Sequence, residues 1–444
     1  MRISLLATAA LTVSTLLAAP AAAQQPYNVA VRVDQLARIF ADLYGPSGLV
    51  VDSTAALSGG ESHSGHFNGG FRSEFSQFGV ALTSQLVSLP YPTPAAGFTF
   101  EFDPALGVFT RSSNGFGPIL SERAETIGAR RFAFGVATQR LTFDSIEGVD
   151  LARIPAVFQH DDAALLGGRE DVITTMNSID ATVTRSTAFL SFGVTSRFDL
   201  SVSIPVVTTD IVVTSRATMV RVGTTIPEQH FFRQADDTVG DTRVYTAFGE
   251  ATGLGDINVR GKLALHKSRR MGLALGVDVK LPTGDEMNLL GTGSTAVQPF
   301  GVWSATLGPF SPHVNAGYRW NGPSVLGGAP GAGQQDDLPD VVVYSAGGAL
   351  EVHRRLTLAV DVLGRAVLDS PRLVRETFRA LNTARTPYEN IGFRRQTLHE
   401  LSAATGLKLN VAERLLLNAN LLFRLNNQGL RDKISPLIGL EYAF

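Results

Sequence analysis

The stretch Met271-Gly272-Leu273-Ala274-Leu275-Gly276-Val277-Asp278-Val279-Lys280-Leu281 decides the fold. In an extended chain successive side chains point to opposite faces. Met271, Leu273, Leu275, Val277, Val279 and Leu281 therefore share one face, and Gly272, Ala274, Gly276, Asp278 and Lys280 share the other. One face is wholly apolar and the other carries charge and glycine, which suits a wall between hydrocarbon and an enclosed hydrophilic interior. The split recurs. Ile257, Val259, Leu263 and Leu265 oppose Asp256, Asn258, Arg260 and Lys262. Leu417, Ala419, Leu421, Phe423 and Leu425 oppose Asn418, Asn420, Arg424 and Asn426. A soluble sandwich also alternates, but it rarely needs ten or more such strands of about 10 residues each.

Working outward, the alternation predicts about fourteen strands, with twelve or sixteen as alternatives: 76–88, 97–110, 130–143, 180–194, 198–214, 254–265, 271–281, 295–307, 311–320, 341–352, 355–368, 397–409, 414–425 and 435–444. The links agree. From the fourth strand onward short ones (196–197, 266–270, 308–310, 353–354, 410–414) alternate with longer ones, such as 215–253, 321–340 and 369–396. Tight periplasmic turns and long outer loops give a bacterial barrel this asymmetry. The link 111–129 breaks the pattern, being long where a tight turn is expected.

Composition narrows the function. Of 444 residues 44% are hydrophobic and 18% charged, and 38 Lys+Arg against 40 Asp+Glu leave a formal charge of −2. This balance argues against nucleic acid as a partner, since phosphate binding calls for an excess of cations. With no cysteine, disulfide frameworks, Cys-based metal sites and thiol nucleophiles are excluded. Residues 1–23 read as a signal peptide: a basic start at Arg2, an apolar run from Leu5 to Pro20, and small residues Ala21–Ala23 before cleavage. No later stretch offers 18 continuous apolar residues. A chain that spans lipid without such a helix must close into a barrel. The reading is thus all-β: a transmembrane antiparallel β-barrel over 76–444, preceded by a 24–75 plug segment. In that segment Leu36, Ile39, Phe40 and Leu43 share one face of a short helix over Asp34–Tyr44, expected in the periplasmic half of the barrel.

Gly253-Leu254-Gly255-Asp256, then Leu281-Pro282-Thr283-Gly284-Asp285, then Gly291-Thr292-Gly293 and a following strand from Val297 form an ordered set of motifs. Over roughly 250–325 this set resembles the outer-membrane family named for the MetA pathway of phenol degradation, grouped with FadL-like channels for hydrophobic compounds. The resemblance implies a channel for phenolic or other small apolar solutes. The leading segment is similar to the N-terminal hatch of FadL-type transporters.

Inward charges are the candidate pore lining: Asp256, Arg260, Lys262, Asp278 and Lys280 on the first pair of strands, then Glu351, Asp361 and Arg365, then Lys408, Arg424 and Glu441. A charge at the lipid midplane costs about 2–4 kcal/mol, so these belong inside. They either filter solutes or pair up to brace the wall. No catalytic or metal site is expected. His63 and His66 lack further ligands, and Asp336, Asp337 and Asp340 read as a solvated loop. No cofactor follows. Tyr318, Trp320, Phe300, Trp303 and Phe310 suit an interfacial girdle. The alternating end Ile438, Leu440, Tyr442, Phe444 resembles the signal read by the barrel assembly machinery. The expected function is passive diffusion of small hydrophobic or aromatic solutes across the bacterial outer membrane, with lipid as the surrounding partner. A barrel hydrolase and a sealed structural or adhesive barrel are the alternatives.

Overall fold

The computed structural model describes residues 28–45, 49, 51–53, 67, 81, 85, 99–103, 108–111, 116–118, 120–159, 171–221, 230–268, 270–329, 333–380, 385–412 and 414–444. The signal peptide at 1–23 and the pair His63 and His66 lie outside the described residues. Twelve antiparallel strands close the wall: β1 Phe132–Phe143, β2 Val172–Gly193, β3 Phe198–Val220, β4 Ile257–Lys267, β5 Met271–Leu281, β6 Ala296–Ala305, β7 Phe310–Asn321, β8 Val341–His353, β9 Leu356–Arg379, β10 Pro387–Ala412, β11 Leu415–Arg424 and β12 Ile434–Ala443. Each pairs with its neighbours in sequence, and β12 pairs with β1 from Leu437↔Gln139 to Ala443↔Ala133. That last pairing corrects the count of fourteen to twelve, because a sealed ring leaves no edge for two more strands. Of 76–88, only Ala81 and Gln85 are described, and both are helical. Within 97–110, Phe100–Asp103 and Val108–Arg111 pair only with each other as a separate hairpin.

The apolar face of β5 looks outward: Leu273, Leu275 and Val277 are 40%, 51% and 44% exposed, while Asp278 and Lys280 are buried inside. This is the wall expected of a membrane-spanning barrel, a closed ladder with its oily side turned outward. No helix among the described residues is long and apolar enough to cross a membrane. Trp303, Phe310, Trp320, Tyr442 and Phe444 are exposed on the outside. Phe300 departs from the girdle expectation. It lies on the inward face of β6, buried, where the ring fits over Gly276; a Cβ at that glycine would fall 2.2 Å from Phe300 Cζ.

Strands β2, β3, β9 and β10 run to 22, 23, 24 and 26 residues, about twice the 9–11 a tilted strand needs to span lipid. The excess lies on the side away from the tight turns. There the alternation inverts without a break in the ladder. In the lower part of β3, Leu200, Ile204 and Val206 face out and Asp199, Ser201 and Ser203 face in; beyond it Asp210 and Arg216 face out and Ile211, Val213, Ala217 and Met219 are buried inside. The inversion marks where lipid ends: above it the outside is water, so the apolar side turns inward. The Thr242–Leu254 strand, which sequence reading left in a loop, continues this sheet above β4 and pairs Val206↔Leu254 through Thr218↔Thr242 with β3.

The three sequence motifs converge on one buried carboxylate at this boundary. Asp256 Oδ1 accepts from Gly284 N–H at 3.1 Å, and its Oδ2 accepts from Thr292 N–H at 2.8 Å and from the Thr292 hydroxyl at 2.7 Å. Gly291 must be glycine, since a Cβ there would sit 2.3 Å from Asp256 Oδ1. Asp256→Ala leaves these donors without an acceptor and is expected to lower stability by about 2–3 kcal/mol, read as an earlier urea midpoint in detergent micelles. Leu275→Arg puts a charge on the lipid face and is expected to cost about 2–4 kcal/mol in a bilayer. Lys280→Ala, on the opposite face of the same strand, is expected to leave insertion into vesicles intact.

Candidate functional site: the barrel interior

Two chain segments enter the barrel at opposite ends. At the long-loop end Asn28–Arg32 lies parallel to the Thr242–Leu254 strand, from Asn28↔Val244 to Arg32↔Phe248. A 3-10 turn over Leu36–Arg38 and a helix over Ile39–Asp42 follow. Leu36, Ile39, Phe40 and Leu43 are buried in one cluster with inward residues of β2 and β3, among them Ile179, Val183, Ile211 and Val213. The Ala37 N–H donates to Met287 O at 2.9 Å, and Tyr44 Oη shares a 2.8 Å hydrogen bond with Ser215 Oγ. Burial pushes the Tyr44 phenol well above its ordinary pKa, with Ser215 offsetting part of the rise. The helix therefore occupies the outer half, where the interior is apolar, and not the periplasmic half. An apolar stripe has no complement among the serines and acids below.

At the tight-turn end the interior is crossed by residues 116–118 and 120–127, inside the link that broke the strand pattern. Its anchors are polar and come from all round the wall. Phe116 N–H donates to Thr357 Oγ1 at 3.2 Å, Ser121 Oγ to Ser345 Oγ at 3.0 Å, Ala124 N–H to Ser304 Oγ at 3.1 Å, and Ile127 N–H to Asp199 Oδ2 at 3.0 Å. The Asn315 amide clasps Glu122, accepting from its N–H at 2.8 Å and donating to its carbonyl at 3.0 Å. The Glu122 carboxylate bridges Arg260 and Lys262, the latter at 3.1 Å. Arg260 in turn grips Asp278, through Nε at 2.5 Å and Nη2 at 2.7 Å.

Between the two fillings lies a cavity of about 210 Å³. Its apolar wall includes Leu120, Leu141, Phe143, Phe300 and Val343. Its polar wall is tied into ion pairs: Arg365 to Glu400 at 2.5 and 2.9 Å, Arg431 to the same Glu400 at 3.4 Å, and Arg424 to Asp144 at 2.7 Å. Arg260 lies 4.9 Å from the Phe300 ring centroid, a cation–π contact that ties the floor of the cavity to its side.

Of the charges read as pore lining, Arg260, Asp278, Arg365 and Arg424 border this cavity. The others serve elsewhere. Asp256 is the motif knot. Lys280 donates to Thr292 Oγ1 at 2.7 Å. Lys262 and Lys408 hold backbone carbonyls of the lower segment, Arg123 and Phe116, each at 3.1 Å. Asp361 meets His313 Nε2 at 2.5 Å. Glu441 is buried, and Glu351 is half-buried at the tight-turn end, where its N–H donates to Pro309 O. Asp336 and Asp337 are exposed on a short outer strand, and Asp340 accepts from Tyr318 Oη at 2.9 Å. Sequence reading missed Glu122, Glu400, Arg319 and Arg431. The run Ser121-Glu122-Arg123-Ala124-Glu125 inside an overlong link was the available signal. Glu400 could have been found by extending the β10 alternation from Lys408.

The profile of the family described as "Putative MetA-pathway of phenol degradation" matches residues 168–335, wider than the 250–325 that carried the motifs. No curated protein gives a significant match. Similar solved structures include an outer membrane channel from Pseudomonas putida F1, with 12% identity, a TM-score of 0.44, and 72% of this chain and 98% of that chain covered. A FadL homologue of Pseudomonas aeruginosa gives 11% and 0.30 over 71% and 89%. The toluene transporter TodX of P. putida gives 10% and 0.28 over 71% and 89%.

Breaking a buried pair costs more than replacing it. Arg365→Met is expected to destabilise by up to about 3 kcal/mol, because Glu400 keeps only its longer contact with Arg431. Adding Glu400→Leu should recover at least half of that loss, a coupling that a double-mutant cycle on urea midpoints measures.

Proposed function

We propose that this barrel is a channel of the bacterial outer membrane through which small apolar or aromatic solutes diffuse passively. The observation that carries the reading is the central cavity. An apolar cavity of about 150 Å³ is enough to hold benzene, and this one, at about 210 Å³, sets phenylalanine and leucine side chains against a polar wall. Such a lining accepts a ring with one polar substituent and rejects a strongly hydrated sugar. The match to a family named for phenol degradation supports the same solute class. Arg260, Asp278, Arg365, Glu400, Arg424 and Arg431 are engaged in ion pairs, which fixes the polar side of the lining. Selectivity then resides in width and lining. The N-terminal segment acts as the outer plug, and the inward charges act chiefly by bracing the lumen.

A second reading has an observation of its own. Chain fills the interior on both sides of the cavity, as in a sealed barrel. Uptake separates the two. Intact cells with and without the protein are compared for initial uptake of radiolabelled phenol and of a hexose. The channel reading expects phenol to enter several-fold faster with the protein and the hexose to be unchanged. Equal phenol rates would reject it. Val343→Trp, which fills the cavity, is expected to cut the phenol rate about tenfold.

A further inference from the structure

The rim of the barrel at the tight-turn end carries a surplus of positive charge. Five turns join the strands there, 194–197, 268–270, 306–309, 354–355 and 413–414, and residues 130–131 lead into β1 at the same end, beside the close of β12. Arginine stands at all but one of these six places: Arg130, Arg197, Arg270, Arg354 with Arg355, and Arg414. All six residues are exposed, and none makes an ion pair among the described residues. The five turns contain a single acid, Glu413. Inside the barrel the reverse holds, where Arg260, Lys262 and Arg365 each meet a carboxylate. The opposite end differs again. Its loops 282–295 and 322–340 hold Asp285, Glu286, Asp336, Asp337 and Asp340 and no Lys or Arg.

The height and spacing of these arginines point to their partner. Arg197, Arg270, Arg355 and Arg414 each lie within three residues of an apolar side chain exposed on the wall: Val194, Met271, Val352 and Val411. They sit where the hydrocarbon band ends. An arginine at that level lays its stem along the acyl chains and keeps its charged head among the headgroups. The guanidinium fork matches phosphate oxygens. Successive turns are two strands apart, about 10 Å along the rim, so the charge is spread round the circumference. A docked protein would cover one side of such a rim. A lipid leaflet meets all of it.

We propose that the arginine rim binds the headgroups of anionic phospholipids in the leaflet at the tight-turn end, in preference to zwitterionic ones. A zwitterionic headgroup brings its own cation beside its phosphate and offsets little of the rim's charge. A net negative headgroup supplies the countercharge that the turns lack. Basic residues near a membrane surface are drawn to anionic lipid in this way, within about a screening length. The proposal is independent of what the lumen carries. The protein contains its own probes, since it has two tryptophans, both exposed on the wall. Trp303 pairs with Leu273 near the tight-turn end of β6, and the Arg270 carbonyl accepts from Thr306 N–H at 2.8 Å just beyond it. Trp320 lies at the far end of β7, next to the acidic 322–340 loop.

Fluorescence quenching tests it. Trp320→Phe leaves Trp303 as the reporter, and Trp303→Phe leaves Trp320; heat-modifiable gel migration checks that each variant is folded. Each is reconstituted in vesicles of equal parts phosphatidylcholine and phosphatidylglycerol, with brominated chains on one lipid or on the other. Both leaflets are alike, so the direction of insertion does not matter. Trp303 is expected to be quenched at least twofold more by brominated phosphatidylglycerol than by brominated phosphatidylcholine, and Trp320 equally by both. The preference at Trp303 should fall at least by half in Arg270→Gln. It should also fall in about 1 M potassium chloride, where the screening length is about 3 Å. Equal quenching of Trp303 by the two lipids overturns the proposal and leaves the rim to an acidic protein partner. A preference as large at Trp320, or one at Trp303 that survives both Arg270→Gln and high salt, overturns it as well, because the rim is then not its source.

Discussion

A wall that faces hydrocarbon cannot leave a backbone N–H or C=O without a partner. In this chain that requirement is met by one pairing, β12 against β1, which turns an up-and-down series into a ring. Strand number follows from it, and width follows from strand number. A ring of twelve lies between the eight strands that side chains can fill and the sixteen or more of an open porin. In this chain further segments enter it from both ends.

What enters each end is dictated by the wall. The inward face is polar near the tight turns and apolar beyond the membrane, because the alternation inverts partway along the long strands. Asp199, Ser201 and Ser203 precede Ile211, Val213 and Ala217 on the same side of β3. Below the inversion, lipid claims the apolar residues and the lumen receives the rest. Above it, water surrounds the sheet and the interior becomes an ordinary hydrophobic core. The amphipathic Leu36–Leu43 turn fits only the second environment. The Ser- and Glu-bearing 120–127 run fits only the first.

The wall was legible in the sequence because lipid imposes a period of two that nothing else contradicts. Ten-residue stretches such as Met271–Leu281 carry it unambiguously. The first two expected strands failed for the same reason. Alternation over 76–110 is compatible with strand, but only partners decide whether a strand joins a ring, and partners are non-local. The inversion in β3 was in plain view as Val202-Ser203-Ile204 giving way to Thr209-Asp210-Ile211, yet period-two reading without a membrane boundary hides it. Legibility of the site was lower. The inward placement of Arg260 or Arg365 follows from parity. Their partners Glu122 and Glu400 are 138 and 35 residues away, and no local pattern encodes such a pairing.

The glycine motifs around Asp256 answer to the backbone and not to chemistry. Glycines 253, 255, 284, 291 and 293 and Asp256 gather where the Thr242–Leu254 strand bends into β4, at the level where lipid gives way to water. The bend lets one chain segment serve two neighbours, β3 throughout and β5 only below, so that the outer sheet can carry an added parallel strand while the ring beneath stays closed. A buried carboxylate satisfies the donors that the bend leaves over. The motif is thus a solution to a backbone problem created by extending a barrel beyond its membrane. The cavity, placed just inside that level, inherits its shape from the solution: polar bracing below it, apolar packing above it, and space where the two kinds of filling cannot meet.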